Sequence, residues 1–259
     1  MKKMTELEQY YNKFNEEKRL NSRHGHVEFV TSMKYIHDVL NKFDKPKIID
    51  IGAGTGKYSC ALTNEGYDVT AVELCKSNLG VLKSKKTSCK AYLGNALNLS
   101  KFKDESFDVC LLFGPLYHLH SFEDKLKALS EAKRITSRSG YILVAYINND
   151  YAIIEHGFRE RNIINAKRFI DEKWKISEEG NDLYSYVRVE DIDKLNKNVG
   201  LVRDKIIAVD SISSLIREDL KKLNEEEFNF FMQYHLSLVE RNDMLGTTFH
   251  YLDILKKGE

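Results

Sequence analysis

The stretch with the most chemical promise is IIDIGAGTGKYS, residues 48–59, where an apolar run takes in Asp50 and glycines follow at 52, 54 and 56. Glycines in such a loop let the backbone turn sharply and come close to a ligand. Two phosphate-binding patterns can be tested against it. A P-loop, GxxxxGK[ST], would put its first glycine at 51 and its hydroxyl at 58, where this chain has Ile51 and Tyr58. A dinucleotide fingerprint, GxGxxG, would put its third glycine at 57, where the chain has Lys57. Both phosphate patterns are therefore disfavoured. Further on, Glu73 closes an apolar run and Asn95 sits within Gly94-Asn95-Ala96. FDVCLLFGPLYHL, residues 107–119, then joins an apolar run to a turn carrying Tyr117 and His118, with His120 just beyond. A carboxylate can accept two hydroxyl hydrogen bonds at once, and a histidine titrates near neutrality.

Such residues need elements to hold them. Residues 1 to about 43 read as helical on either side of a polar break at Asn21–His26. Leu7, Tyr10, Tyr11 and Phe14 precede the break; Val27, Val30, Met33, Ile36, Val39 and Leu40 follow it at helical spacing. Pro46 ends that rhythm. Strands are then expected at Lys47–Ile51, Asp68–Leu74, Ala91–Leu93, Phe107–Phe113 and Tyr141–Ile147. Helices are expected after Gly56 through Leu62, over Ser77–Lys85 and over Phe122–Thr136. The alternation predicts an α/β fold with a doubly wound, mostly parallel seven-stranded sheet, N-terminal helices and a helical insertion after the fifth strand. That insertion, Asp150 to Lys175, is charged and helical in pattern, with a length that suits covering the carboxyl edge of the sheet. Strands resume near Leu183–Val189, Leu201–Val209 and Thr247–Leu255, the last two as an antiparallel pair. Helices near Ser213–Leu223 and Glu225–Arg241 lie between that pair.

Composition narrows the class. Forty Lys and Arg stand against thirty-nine Asp and Glu, so the basic excess that phosphate neutralisation usually brings is lacking and nucleic acid is a disfavoured partner. No apolar run approaches the ~20 residues that span a bilayer, and the basic N-terminus lacks the apolar stretch of a secretory signal. Cys60, Cys75, Cys89 and Cys110 form no CxxC pair and have no histidine near enough to complete a zinc pattern, so no metal is expected. Scattered free cysteines fit a reducing, cytoplasmic setting.

The pattern [ILV]-D-[ILV]-G-x-G-x-G at 49–56 resembles the first motif of the class I S-adenosylmethionine-dependent methyltransferases, and further motifs fall in order from about Lys47 to Ile147. The resemblance implies S-adenosyl-L-methionine as cofactor, S-adenosyl-L-homocysteine as product and a Rossmann-like core. It implies that Asp50, Gly52, Ala53, Gly54 and Gly56 form the cofactor loop and that Glu73, with Leu74 beside it, takes the ribose hydroxyls. Asn95 and the Ala96 amide would meet the adenine; the usual residue is Asp, and Asn95 departs from it by carrying no charge. The carbonyl near Phe113, with Gly114 after it, would receive the methionine ammonium. Aromatic faces favour a sulfonium, which makes Tyr10, Tyr11 and Tyr58 candidates. The corresponding organisation is an N-terminal helical lid over 1–44, a cofactor-binding core over 45–147, a helical cap over 148–182 and the rest of the core over 183–259.

Methyl transfer to an acceptor that carries a proton calls for a base. Tyr117, His118 and His120 are candidates after the fourth strand, and His24, with Arg23, His26 and Glu28, sits in the polar break read as a lid hinge that closes over the cofactor. His156 and Arg159 lie in the insertion. Enzymes that methylate exocyclic base amines resemble one another in carrying [ND]PP[YF]; here the aligned residues are Gly114, Pro115, Leu116 and Tyr117, and Gly114 has no side chain to accept the amine. A small-molecule acceptor is therefore expected. A non-catalytic protein of this fold, an RNA- or protein-directed methyltransferase and a nicotinamide-dependent oxidoreductase are the rivals.

Overall fold

The computed structural model describes residues 22–177 and 183–258. Its framework is a sheet of β1 (Lys47–Ile51), β2 (Asp68–Glu73), β3 (Lys90–Leu93), β4 (Phe107–Leu112), β5 (Thr136–Asn148), β6 (Tyr186–Val187), β7 (Val202–Ala208) and β8 (His250–Lys256). Seven strands form one path in the order β3-β2-β1-β4-β5-β8-β7, and β6 pairs only with the end of β5. Strands β1 to β5 run parallel, while β8 is antiparallel to both β5 and β7. This is the expected doubly wound sheet.

The longer helices are α1 (Arg23–Leu40), α2 (Lys57–Asn64), α3 (Lys76–Ser84), α4 (Phe122–Ile135), α5 (Val189–Val199) and α6 (Glu225–Leu238). Side chains alternate across a strand, so each buried strand feeds two cores. Ile49, Ile51, Cys110, Leu112, Ile142 and Val144 pack with Leu129 of α4 and Leu195 of α5. Their neighbours Ile48, Val109, Leu111 and Leu143 pack on the opposite face with Ile36 and Leu40 of α1 and Leu62 of α2. By parity Asp50 belongs to this second face, beneath α2.

Several expectations change in detail. The expected break at Asn21–His26 begins outside the described residues, but from Arg23 onward it is helix: Ser22 caps α1 by accepting the Gly25 N–H at 3.0 Å. Strand β5 starts at Thr136 rather than Tyr141, because Thr136 already pairs with Phe107 before an irregularity in register. The insertion is helical over Asn149–Ala152 and Ile153–Arg159, then only in the short single-turn pieces Ile163–Ala166 and Lys167–Phe169. Arg161 and Trp174 take positive φ there, which a continuous helix excludes. Among the described residues no helix is long and apolar enough to cross a membrane.

Candidate functional site

The carboxyl ends of β1, β2 and β4 open into a cleft of about 1400 Å³, counting its open mouth. After β1 the chain turns through Gly52 and Ala53, whose N–H groups both donate to the Val72 carbonyl at 2.8 and 3.1 Å. Gly52 has φ +77°, and a Cβ there would lie 2.5 Å from Cδ of Pro115. Gly54 also takes positive φ, +56°, but a Cβ on it would meet nothing within 4 Å. The two glycines thus answer different demands. Gly52 lets the loop pass under the turn after β4, and Gly54 leaves bare backbone facing the cleft.

Glu73, at the end of β2, holds this loop. Its Oε2 accepts the Gly54 N–H at 2.8 Å and its Oε1 the Cys75 N–H at 2.6 Å. Burial pushes its carboxyl up, and the amides of Cys75 and Gly54 pull the other way. The Asn78 side chain and the Leu74 amide bond to it as well. Asp50 lies behind the loop and accepts the Ser59 hydroxyl of α2 at 2.5 Å. Its burial raises the carboxyl to about 6, against the Ser59 hydrogen bond and with the repulsion of Glu73. Asn95 turns its side-chain oxygen back onto the Leu97 N–H at 2.9 Å and lines the cleft with Ala96. Tyr58 stands between Phe29 of α1 and Phe113, with ring centroids 5.4 and 5.0 Å away, so the mouth beside the loop is aromatic.

The far end of the cleft is lined by Glu28, Ser32, Ala145, Val209, His250 and Leu252, under α1. Asp210 lies fully buried behind it, and its Oδ2 accepts both the backbone N–H of His250 at 2.7 Å and ring Nδ1 at 2.9 Å. Burial pushes the Asp210 carboxyl up, but the charge and hydrogen bonds of His250, with His24 beyond, outweigh it and hold it down at about 2. Glu28, Asp210 and His250 bring one donor atom each to within 4.8 Å of one another.

Comparison with known proteins decides the family. A model described as a methyltransferase domain matches residues 49–144. The chain is 31% identical over 165 residues to an uncharacterized protein of Methanocaldococcus jannaschii, covering 62% of this chain and 69% of that protein. It is 25% identical over 138 residues to the human protein named probable tRNA methyltransferase 9B, covering 49% of this chain and 29% of the relative. It is 31% identical over 113 residues to a demethylmenaquinone methyltransferase of Renibacterium salmoninarum, covering 43% and 46%. The chain thus spans less than half the length of the last two. Its fold is shared with a SAM-dependent methyltransferase structure from Archaeoglobus fulgidus at a TM-score of 0.58 and 19% identity, covering 93% of this chain and 97% of that one. The chain belongs to the class I, Rossmann-like methyltransferases.

Within this methyltransferase, most of the residues singled out in the sequence share one cleft. Asp50, Gly52, Ala53, Gly54, Tyr58, Glu73, Leu74, Asn95, Ala96, Phe113, Gly114, Tyr117 and His118 all line it. Gly56 stands one step back, as the N-cap residue just before α2. Tyr11 and Tyr10 lie outside the described residues.

Others are drawn elsewhere. Arg23 points its guanidinium at the carbonyls of Leu220 and Leu223 and at Glu225, and it stacks over Phe228, so its charge is spent on tying α1 to α6. His24 faces Asp210 at 3.8 Å from the first turn of α1 and does not line the cleft. His156 pairs with Glu160, and Arg159 with Glu155, along the insertion. No described residue of the insertion lines the cleft; Asn149 and Arg188 both donate to the Trp174 carbonyl and fold the segment against the start of α5.

His118 lines the cleft as a neutral ring. Its Nδ1–H donates to the Leu183 carbonyl at 2.7 Å, and it stacks on Tyr184. Burial lowers it to about 4, outweighing the Leu183 hydrogen bond that raises it, so it is a weak proton acceptor at neutral pH.

Sequence reasoning missed Asp210 and His250. Asp210 follows an apolar strand in AVDS, and His250 opens the strand FHYLDIL. The available signal was an acid and a histidine at adjacent ends of two strands expected to pair.

Proposed function

We propose that this methyltransferase uses S-adenosyl-L-methionine to methylate a small-molecule acceptor held between the glycine loop and α1. The observation that carries the cofactor is the pairing of bare backbone at Gly54 with the buried Glu73 carboxylate. Together they fit a ligand with a ribose that must approach the chain closely. In this reading Glu73 receives the ribose hydroxyls, Asn95 and Ala96 the adenine, and Phe113 and Gly114 the methionine end. When bound, the cofactor supplies a methyl carbon on a sulfonium sulfur, so that a nucleophile gains the carbon and the C–S electron pair returns to sulfur. The protein then has to align the nucleophile and keep water out. Tyr58 and Phe113 offer aromatic surface beside that position, and α1 acts as the lid.

A small acceptor is favoured by the far end of the cleft, where Ala145, Val209 and Leu252 are packed beneath α1 rather than spread on an open surface. The name of the Renibacterium relative points the same way. The human relative's name favours a second reading, an RNA acceptor; the net charge of +1 argues against it.

Calorimetry on ligand-stripped protein tests both levels. S-adenosylmethionine and S-adenosylhomocysteine should bind at micromolar levels, with NAD and ATP inert. Selective binding of NAD would overturn the methyl-transfer reading. Competition of turnover by tRNA would replace the small acceptor with RNA.

A further inference from the structure

This inference rests on the methyl-transfer reading and concerns the end of β2, where Glu73 stands beneath the glycine loop. An ionised carboxylate offers about four lone-pair sites on its two oxygens. Four donors already reach this one. The Gly54 N–H meets Oε2 at 2.8 Å and the Cys75 N–H meets Oε1 at 2.6 Å, while the Leu74 N–H and the Asn78 side chain bond to the same carboxylate. A ribose brings hydroxyl donors of its own, and this group can receive one only if a donor now in place gives way.

The four donors differ in what their departure would disturb. Leu74 and Cys75 belong to the turn from β2 into α3, and Cys75 is the N-cap of that helix. The Glu73 carbonyl accepts the Gly94 N–H at 3.0 Å, which ties the same turn to the end of β3. Gly54 lies in a loop anchored by the hydrogen bonds of Gly52 and Ala53 to the Val72 carbonyl. Moving any of these three moves backbone. Asn78 needs only a rotation about its side-chain bonds. It is the third residue of α3, and side chains on a helix lean toward its N-terminus, so from there the amide reaches back to Glu73. Asn78 is buried and lines the cleft, so the ligand and this side chain meet at the same carboxylate.

We propose that Asn78 stands in for a ribose hydroxyl: it donates to Glu73 while the cleft is empty and turns off the carboxylate when the ribose arrives. In the empty cleft it keeps a buried charge compensated, since a buried carboxylate with an unmet oxygen is costly. On binding, a ribose hydroxyl takes the lone pair that Asn78 leaves. Asn78 is then a positioning residue that sets how strongly the site selects a ribose. The exchange has a definite sign. A residue that merely supported Glu73 would help it hold the ribose, and its loss would weaken binding. A stand-in competes with the ribose, and its loss strengthens binding.

The test compares adenosine with 2′,3′-dideoxyadenosine, which differ only in the two hydroxyls. Both are measured on the ligand-stripped full chain by displacement of S-adenosylhomocysteine in calorimetry. Wild type should prefer adenosine. In Asn78→Ala that preference should rise about threefold or more, S-adenosylhomocysteine should bind more tightly, and the ligand-free protein should melt at a lower temperature. Asn78→Leu, which fills the space without a donor, should act in the same direction and serves if the alanine variant does not fold. An adenosine preference that stays level or falls in these variants would overturn the proposal. The Asn78 side-chain amide signals of wild type give an independent reading in NMR. They should move further with adenosine than with the dideoxy compound, and equal movement would overturn the stand-in. Failure of S-adenosylhomocysteine to bind would sink the methyl-transfer reading itself, and equal wild-type affinity for the two nucleosides would remove Glu73 from the ribose. A wild-type preference that does not grow when Asn78 is replaced would sink only the present proposal.

Discussion

Around the glycine loop the ligand-facing surface is largely backbone. Gly52, Ala53 and Gly54 follow one another in the chain, and a single side chain, Glu73, pins them to the end of the neighbouring strand. At the far end of the same cleft the surface includes side chains brought from afar. Glu28 comes from α1 and His250 from the start of β8, with Asp210, from the turn after β7, buried behind them. The first arrangement needs residues with nothing on them; the second needs particular functional groups at particular distances. This suits a shared cofactor at one end and an acceptor peculiar to this chain at the other, since specificity gathers on the elements around a scaffold.

The comparison breaks most readily at the loop. Gly52→Ala would place a Cβ 2.5 Å from Pro115 at a φ of +77°, so it should lower S-adenosylhomocysteine affinity more than 100-fold, about 2.7 kcal/mol, in calorimetry. An unchanged affinity would show that the loop is not built by bare backbone.

Next comes the aromatic wall at the other side. His118 is held neutral, with its pKa moved from 6.5 down to about 4. The unfolded chain binds a proton in that window that the native site refuses. Its contribution is therefore complete above about pH 6.5 and is lost as the pH falls toward 4. Urea unfolding at pH 7 and pH 4.5 should show His118→Asn to be less acid-sensitive than wild type by about 2 kcal/mol, taken below the full shift because the ring is partly exposed. Equal acid sensitivity would remove His118 from the wall's packed interior.

Glu73→Ala should weaken S-adenosylmethionine binding by tenfold or more, as expected for charge-assisted hydrogen bonds worth about 1.5 kcal/mol or more. If only the melting temperature falls, Glu73 serves the loop and not the ligand. The smallest effect belongs to Asn95→Ala, which loses the turn onto Leu97 and should weaken cofactor binding about threefold, under 1 kcal/mol. A larger loss would mean that Asn95 meets the ligand directly.

The regions that could be read from the chain and those that could not divide along the same line. Strands β1, β2 and β4 and the helices after them follow from short apolar runs, Gly54 and Gly56 and a helical period, all local signals. Departures came where neighbours intervene. The start of β5 at Thr136 depends on pairing with Phe107, and the capped first turn of α1 replaces a break that polar residues suggested. Arg23 has the charge for a ligand, yet α6 and the carbonyls before it take that charge up.

The order of glycine loop, Glu73, Asn95 and Phe113 was enough to assign the fold and to pick out residues that line one cleft, because each of these residues lies within a few positions of a strand end and the strand order follows from the alternation. The union of Glu28, Asp210 and His250 has no such local mark. It exists because β8 runs antiparallel between β5 and β7, which returns residue 250 to the carboxyl edge beside residue 210, and because α1 packs across that edge. Contacts between residues about 180 and 220 positions apart arise from how the sheet closes and α1 packs, and no spacing along the chain encodes them.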